Sequence, residues 1–252
     1  FNTSAIQNEQ GEIASWVGAA IDIHDKKVKS DKQSEFMSIA CHVLGTPLTT
    51  AKAYLQKLQQ NLHEETGADM ILIKKAADSV ERLDRLVAEL LDVSKIQRGE
   101  FELDMGPFDF NEMLDAANKS IQITHPERKI IKMGEVSRTV SGDKERLKQV
   151  VVNLLTNAIN YSLENEIIQV NVVEKEEEIL VSVTDRGTGI AEENLDKIFE
   201  MYFREKHESN EVQGLGIGLP IASEIVFQHK GRIWAESEPG KGSTFYFTIS
   251  TI

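Results

Sequence analysis

Two stretches of this chain repeat apolar residues at alternating intervals of three and four, and that repeat limits its folding more than any other feature. Leu44, Leu48, Ala51, Leu55, Leu58 and Leu62 form the first run, and Ile73, Ala76, Val80, Leu83, Val87 and Leu90 the second. On an α-helix such spacing gathers the apolar side chains into one narrow stripe, the seam of a coiled coil. Residues 63–69 between the runs are polar and include Gly67, which fits a hairpin turn. Gly99 follows the second run as a helix stop. A hairpin with this much apolar edge can pair with a second copy in a four-helix bundle, or pack on the rest of its own chain. The first arrangement, a homodimer, is the expectation.

The remaining residues change pattern. With 252 residues there is chain for one or two domains. Residues 1–23 hold a turn at Gly11 and then strand-like alternation, and such an isolated strand needs a partner. Residues 24–98 carry the helical pattern. Residues 99–252 mix both periods: an amphipathic helix after Asp143 to about Ser162, a strand pair at 167–173 and 179–183, a helix at 219–228 stopped near Gly231, and a hairpin of 233–236 with 244–249 across Gly240 and Gly242. The fold class expected is therefore α+β, a helical hairpin followed by an α/β two-layer sandwich.

Charge and composition narrow the function. A net charge of −13 argues against nucleic acid or an anionic membrane as partner, since both demand a positive surface. No apolar run approaches the roughly 20 residues of a membrane span, and no signal-peptide pattern opens the chain. The single Cys41 cannot form an internal disulfide. Its place beside His42 suits either a redox role or, the better reading, a small residue near the helix seam. Together these features predict a soluble, cytosol-facing chain.

Four clusters in the C-terminal half can carry chemistry. Asn153 and Asn157 lie four apart on one helix face, where amide oxygens could ligate a magnesium ion that also holds phosphates. The same spacing occurs in surface residues and caps. Asp185, followed by Gly187, Gly189 and Ile190 straight after a strand, could accept a hydrogen bond from an exocyclic amine, or simply mark a tight turn. Phe199 to Arg204 and the polar residues after them suit a lid or an ordinary exposed loop. Gly214, Gly216 and Gly218 precede Leu219 at a helix start, where bare backbone amides can cradle phosphate. Each is weak alone. Their order within about 70 residues, closed by Gly240, Gly242 and Ser243, is specific in combination.

In that order the clusters resemble the ATP-binding domain of the sensor histidine kinases of two-component systems, a domain type shared with gyrase and chaperone ATPases. The resemblance spans residues 30–252. It implies that ATP and Mg2+ bind, with Asn157 on the metal and Asn153 beside it. It further implies that Tyr161 lies along the phosphates and that Asp185 reads the adenine amine in a pocket shaped by Gly187, Gly189 and Ile190. Arg204 would approach the γ-phosphate, and Gly214, Gly216 and Gly218 would form the closing turn of a lid that ends at Leu219. Asn160 departs from the family, which often has a lysine there. Hydrolysing relatives usually carry a glutamate where Asn153 stands, so Asn153 favours transfer to a protein group over hydrolysis.

Residues 36–48 resemble the family's phospho-acceptor box, with His42 as the phosphorylated residue. His42 lies two residues before Leu44, about 200° round the helix from the seam, and is expected to be exposed. Pro47 leaves the Val43 carbonyl without its helical donor, so a bend is expected just past His42. Thr46 matches the residue implicated in dephosphorylating the partner. Val43 stands where the family usually has an acid, thought to take the imidazole proton during attack on ATP, and Gly45 where it has a basic residue. Loss of a general base costs about 10²–10⁴-fold in rate, so a slowed kinase is expected.

The resemblance thus implies autophosphorylation of His42 followed by transfer to an aspartate on a response-regulator receiver domain. The setting would be cytoplasmic, or the cytoplasmic part of a membrane-associated sensor. Two alternatives stand beside it: a dimeric, nucleotide-binding scaffold without catalysis, favoured by Val43 and Gly45, and an ATP hydrolase of the same superfamily. Asp22 to Asp25, after Trp16, resemble the exit strand of a PAS sensor domain.

Overall fold

The computed structural model describes residues 2–7, 13–19, 40–41, 43–58, 68–162, 166–203 and 215–250. The chain divides into two compact units, Phe1–Cys41 and His42–Ile252. In the first, β1 (Asn2–Gln7) pairs antiparallel with β2 (Ile13–Ala19), Asn2 opposite Ala19. The alternation near Trp16 is therefore a strand, and its partner is β1, which the sequence reading did not see. Residues 22–25, where a PAS exit strand was expected, lie outside the described residues, as does His42, the expected acceptor.

The second unit opens with helix α1 over residues 43–58, running through Pro47 without interruption. Helix α2 (Ala68–Arg98) follows and has begun inside the stretch expected to turn; residues 63–67 lie outside the described residues. The two helices are neighbours, because Lys75 Nζ stands 5.7 Å above the Tyr54 ring. The turn after α2 is a Schellman closure: Gly99 adopts φ 68°, its N–H bonds Ile96 O at 3.0 Å, and the Glu100 N–H reaches back to Lys95 O at 2.9 Å. Within the hairpin the seam is split. Leu72, Ala76, Leu86 and Val93 are buried, whereas Leu48 and Leu55 on α1 and Ile73, Val80 and Val87 on α2 are exposed at seven-residue intervals.

Beyond the hairpin, β3 (Gly106–Phe108) pairs with β5 (Val140–Gly142), and a five-stranded mixed sheet takes the order β4-β6-β7-β9-β8. Its strands are β4 (Lys129–Met133), β6 (Ile167–Glu174), β7 (Glu178–Thr184), β8 (Ile233–Glu238) and β9 (Gly242–Ser250). Only β4 and β6 run parallel. Alternate residues of β7 (Ile179, Val181, Val183) and β9 (Phe245, Phe247, Ile249) are buried, as the two-residue period of a strand with one covered face requires.

Three helices share the core with that sheet: α3 (Phe110–Thr124), α4 (Lys144–Tyr161) and α5 (Gly218–Gln228). The helix α3 was not foreseen, although its signals are present. Asp109 caps its first turn, accepting from the Asn111 and Glu112 N–H groups, and Met113, Leu114, Ala117 and Ile121 form its buried stripe. In α4, Leu147, Val150, Val151, Leu154 and Ala158 are fully buried. Fully burying one such aliphatic side chain is worth roughly 1.5–3 kcal/mol, so α4 is held chiefly by its inner face. Its polar face is thereby free to carry a site.

Candidate nucleotide site

Helix α4 is fixed at both ends by polar contacts. Asp143 caps it, with Oδ1 accepting from Arg146 N at 3.0 Å and Oδ2 from Asp104 N at 2.9 Å. At its other end the buried Arg128 guanidinium donates to Ile159 O and to Ser162 O, satisfying carbonyls that the helix leaves open. The imidazole of His229 completes the base. Its Nε2 accepts from Asp143 N at 2.9 Å, so the ring is neutral with Nδ1 donating to Ile225 O at 2.7 Å. Burial holds the His229 pKa below the ordinary range, opposed by the bond to Ile225 and the charge of Asp143.

From this mount α4 presents Asn153, Asn157, Asn160 and Tyr161 to a cavity of about 490 Å³. Asn153 Nδ2 donates to Gly218 O at 2.9 Å, tying α4 to the first residue of α5. Asp185 follows the last residue of β7 and is buried. Both bonds its carboxylate makes among the described residues fall on Oδ1, from Gly187 N at 2.7 Å and Ser243 N at 3.3 Å. Oδ2 remains for a donor inside the cavity. Burial raises the Asp185 pKa, and those two backbone bonds oppose the rise.

Close approach dictates the residue at 187. A Cβ there would lie 2.2 Å from Tyr161 O and 2.8 Å from Asp185 Oδ1, so only glycine lets the loop pass between α4 and β7. Gly189 adopts φ 70° and would place a Cβ 2.2 Å from Glu238 O. Those contacts hold the loop so that Thr188 N bonds Tyr161 O at 3.1 Å and Ile190 N bonds Ser237 Oγ at 2.8 Å.

One cavity therefore gathers Asn153, Asn157, Tyr161, Asp185, Gly189, Ile190, Gly216, Gly218 and Leu219, with Gly187 packed behind them. Arg204 and Gly214 lie outside the described residues, so their expected places cannot be joined to this set. Thr46 stands exposed on α1, its carbonyl accepting from Thr50 Oγ1, while Val43 and Gly45 are half-buried. Cys41 is exposed. The residues present fit a nucleotide with a divalent cation: a buried carboxylate with one oxygen to spare, amide oxygens four residues apart, and a bare helix start at Gly218.

The sequence reading missed one wall. Arg82, Arg85, Leu86 and Glu89 of α2 line the same cavity, and nothing in a heptad pattern distinguishes them from ordinary outward-facing residues. They reach it because Asp92, buried on α2, pairs with Arg146 of α4 at 2.6 Å and accepts from Gln149 Nε2 at 3.2 Å. Glu89 is half-buried there, and its pKa is pushed up to about 7 by burial, with Arg85 opposing and Asp92 reinforcing the shift.

A cavity of this construction, set between an asparagine-bearing helix and an aspartate-glycine loop and attached to a helical hairpin, defines a nucleotide-binding core joined to an acceptor module. Residues 142–251 match the family of histidine kinase-, DNA gyrase B- and HSP90-like ATPases, and residues 32–99 match the His Kinase A (phospho-acceptor) domain. The chain thus carries both the ATP-binding and the phospho-acceptor domain of a histidine kinase core. It is 30% identical to the sensor histidine kinase WalK of Bacillus subtilis over 98% of its own length and 41% of that relative's. It is 27% identical to the sensor protein kinase WalK of Staphylococcus aureus, over 98% of this chain and 61% of that one. The chain thus spans about two fifths to three fifths of the relatives it matches. Among solved structures, the histidine kinase AdeS of Acinetobacter baumannii superposes with a TM-score of 0.60 at 25% identity, over 83% of this chain and 98% of that one. The histidine kinase ThkA, solved in complex with the response regulator TrrA, shares the fold at a TM-score of 0.57 and 20% identity, over 99% and 74% of the two chains. Among the described residues no helix is long and apolar enough to cross a membrane.

Proposed function

We propose that this chain is a kinase core that phosphorylates its own His42 from ATP and passes the phosphoryl group to an aspartate on a response-regulator receiver domain. Residues 24–98 serve as the dimerising acceptor hairpin and residues 99–252 as the catalytic domain. The observation that carries the reading is the single cavity uniting Asp185, Asn153, Asn157 and the Gly216–Gly218 turn beside an acceptor hairpin. In it Asp185 takes the adenine amine through Oδ2. Asn157 holds Mg2+ with Asn153 beside it, Tyr161 flanks the phosphates, and Arg204 with Gly214, Gly216, Gly218 and Leu219 closes over them. Magnesium supplies charge neutralisation on the phosphate oxygens. The chemical step forms a bond between an imidazole nitrogen of His42 and the γ-phosphorus, breaks the bond to the β-phosphate bridging oxygen, and releases ADP. Positioning and charge carry most of the catalysis.

The proton shed by the imidazole needs an acceptor. Val43 cannot take it, so the transfer is slow in this chain. Thr46 would position water when the phosphorylated partner is hydrolysed. The exposed seven-residue stripe of Leu48, Leu55, Ile73, Val80 and Val87 fits a second copy completing a four-helix bundle. Dependence on ATP places this work on the cytoplasmic side, whether the parent protein is soluble or anchored.

The test is incorporation of labelled γ-phosphate from Mg-ATP, with His42→Gln and Val43→Glu in parallel. The parent should take up label slowly, His42→Gln none, and Val43→Glu at a rate raised by about 10²-fold or more, the span of a general base. Absence of label on both parent and Val43→Glu, with nucleotide still bound, would sink the kinase reading in favour of a binding scaffold. Steady release of free phosphate without labelled protein would point to a hydrolase.

A further inference from the structure

The nucleotide reading leaves a charge problem. ATP brings a polyanionic tail to a protein of net charge −13, and α4 offers it no cation, only the neutral Asn153, Thr156, Asn157, Asn160 and Tyr161. Among the described residues lining the cavity, the fixed cations are Arg82 and Arg85, and both come from α2 rather than from the ATP-binding domain. They stand three residues apart, on one helix face.

The ion pair between Asp92 and Arg146 sets how the two helices lie against the cavity. Arg85 is seven residues from Asp92 along α2, and Asn153 is seven residues from Arg146 along α4. At 1.5 Å per residue both are about 10.5 Å from that fixed point. Both also line the one cavity, so they extend from the pair toward the same end of it. Asn153 and Asn157 mark the end assigned to phosphate and metal. Asp185, assigned to the adenine, belongs to the far loop. The half-buried Glu89, one turn from Arg85, has its pKa raised to about 7, so near neutrality it is partly uncharged and repels an anion less than an ordinary carboxylate would.

We propose that Arg85, with Arg82 one turn before it, is a ligand of the nucleotide's phosphate tail, so that the acceptor hairpin itself completes the ATP site when it lies against the ATP-binding domain. The site is then composite. A nucleotide with a long phosphate tail fastens the hairpin's second helix to the catalytic domain, whereas one without a tail does not. Guanidinium groups suit this role because they give several donors in a fixed plane to phosphate oxygens. The inference rests on the nucleotide reading above and adds to it the residues that hold the tail.

The test is displacement of the fluorescent analogue trinitrophenyl-ATP from the full chain by ATP, ADP, AMP and adenosine. The parent is compared with Arg85→Gln, Arg85→Lys, the Arg82→Gln/Arg85→Gln pair and Asp185→Asn. Losing a charge-assisted bond of this kind weakens ATP binding about tenfold in Arg85→Gln, more in the pair and less in Arg85→Lys. The effect shrinks from ATP to ADP to AMP, and adenosine changes by less than about twofold. Arg85 is exposed, so its single variants keep the fold. Equal weakening of ATP and adenosine, or no change in either, would overturn the proposal while leaving the nucleotide site in place. If the parent fails to bind ATP, or Asp185→Asn binds adenosine as well as the parent does, the nucleotide reading itself fails and the proposal falls with it.

Discussion

At the scale of single residues, the cavity depends on what is left out as much as on what is present. Gly187 has room for no side chain, because a Cβ would press 2.2 Å from the Tyr161 carbonyl and 2.8 Å from the Asp185 carboxylate. Gly187→Ala should therefore push the Asp185 loop off α4, lowering stability by about 1–3 kcal/mol, the cost typical of overpacking. It should weaken adenosine binding more than Gly240→Ala, since Gly240 has open space around its Cβ although its φ is positive. Urea titration and adenosine binding read the two effects. Asp185 and the glycines were legible in the sequence because a carboxylate at a strand end followed by Gly-x-Gly is a compact local pattern. The Arg85 and Glu89 wall was not, since their approach to the cavity depends on the Asp92–Arg146 pair, whose members are 54 positions apart.

At the scale of elements, periodicity served well where one face of an element is buried and poorly elsewhere. The helices α4 and α5 and the strands β6 to β9 run close to their expected bounds, because caps such as Asp143 and alternating burial leave a strong mark. β4 escaped notice because it is a short parallel strand with mostly half-buried residues, and β1 because its apolar Ala5 and Ile6 are adjacent and give no alternation. The α1 helix contains an element-level test. Gly45 lies in its first described turn with nothing within 4 Å of where a Cβ would stand, so no packing contact calls for glycine. Gly45→Ala should stabilise the chain by about 0.5–1 kcal/mol through helix propensity. A rise in thermal midpoint, with unchanged nucleotide affinity, is the expected result. A fall would mean that the helix needs a flexible point beside His42.

At the scale of the whole molecule, titratable groups shifted in opposite directions make stability depend on pH. Glu89 has its folded pKa raised from 4.5 to about 7, so the folded state binds the extra proton in that window. Its stabilising effect is complete below pH 4.5 and is lost as pH rises through about 7. His229 is displaced the other way, with its folded pKa below 6.5, so stability falls as pH drops below that value and the unfolded chain takes up the proton. Glu89→Gln should remove the first dependence. Its urea midpoint should draw ahead of the parent's between pH 4.5 and 7 and hold a constant lead at pH 8. A lead of equal size at pH 4 and pH 8 would show that the carboxyl's charge is not the cause.

The helix α5 is held at both ends. Gly218 accepts from Asn153 at its start, and His229, just past its last residue, accepts from the base of α4. Its eleven residues therefore act as a gauge block between two fixed stops on the same neighbouring helix. One residue inserted or removed would turn the far end by about 100° and shift it by about 1.5 Å. Either the glycine turn facing the nucleotide or the imidazole beneath Asp143 would then lose its seat. The length of α5 is thus as much a part of the site as any side chain in it.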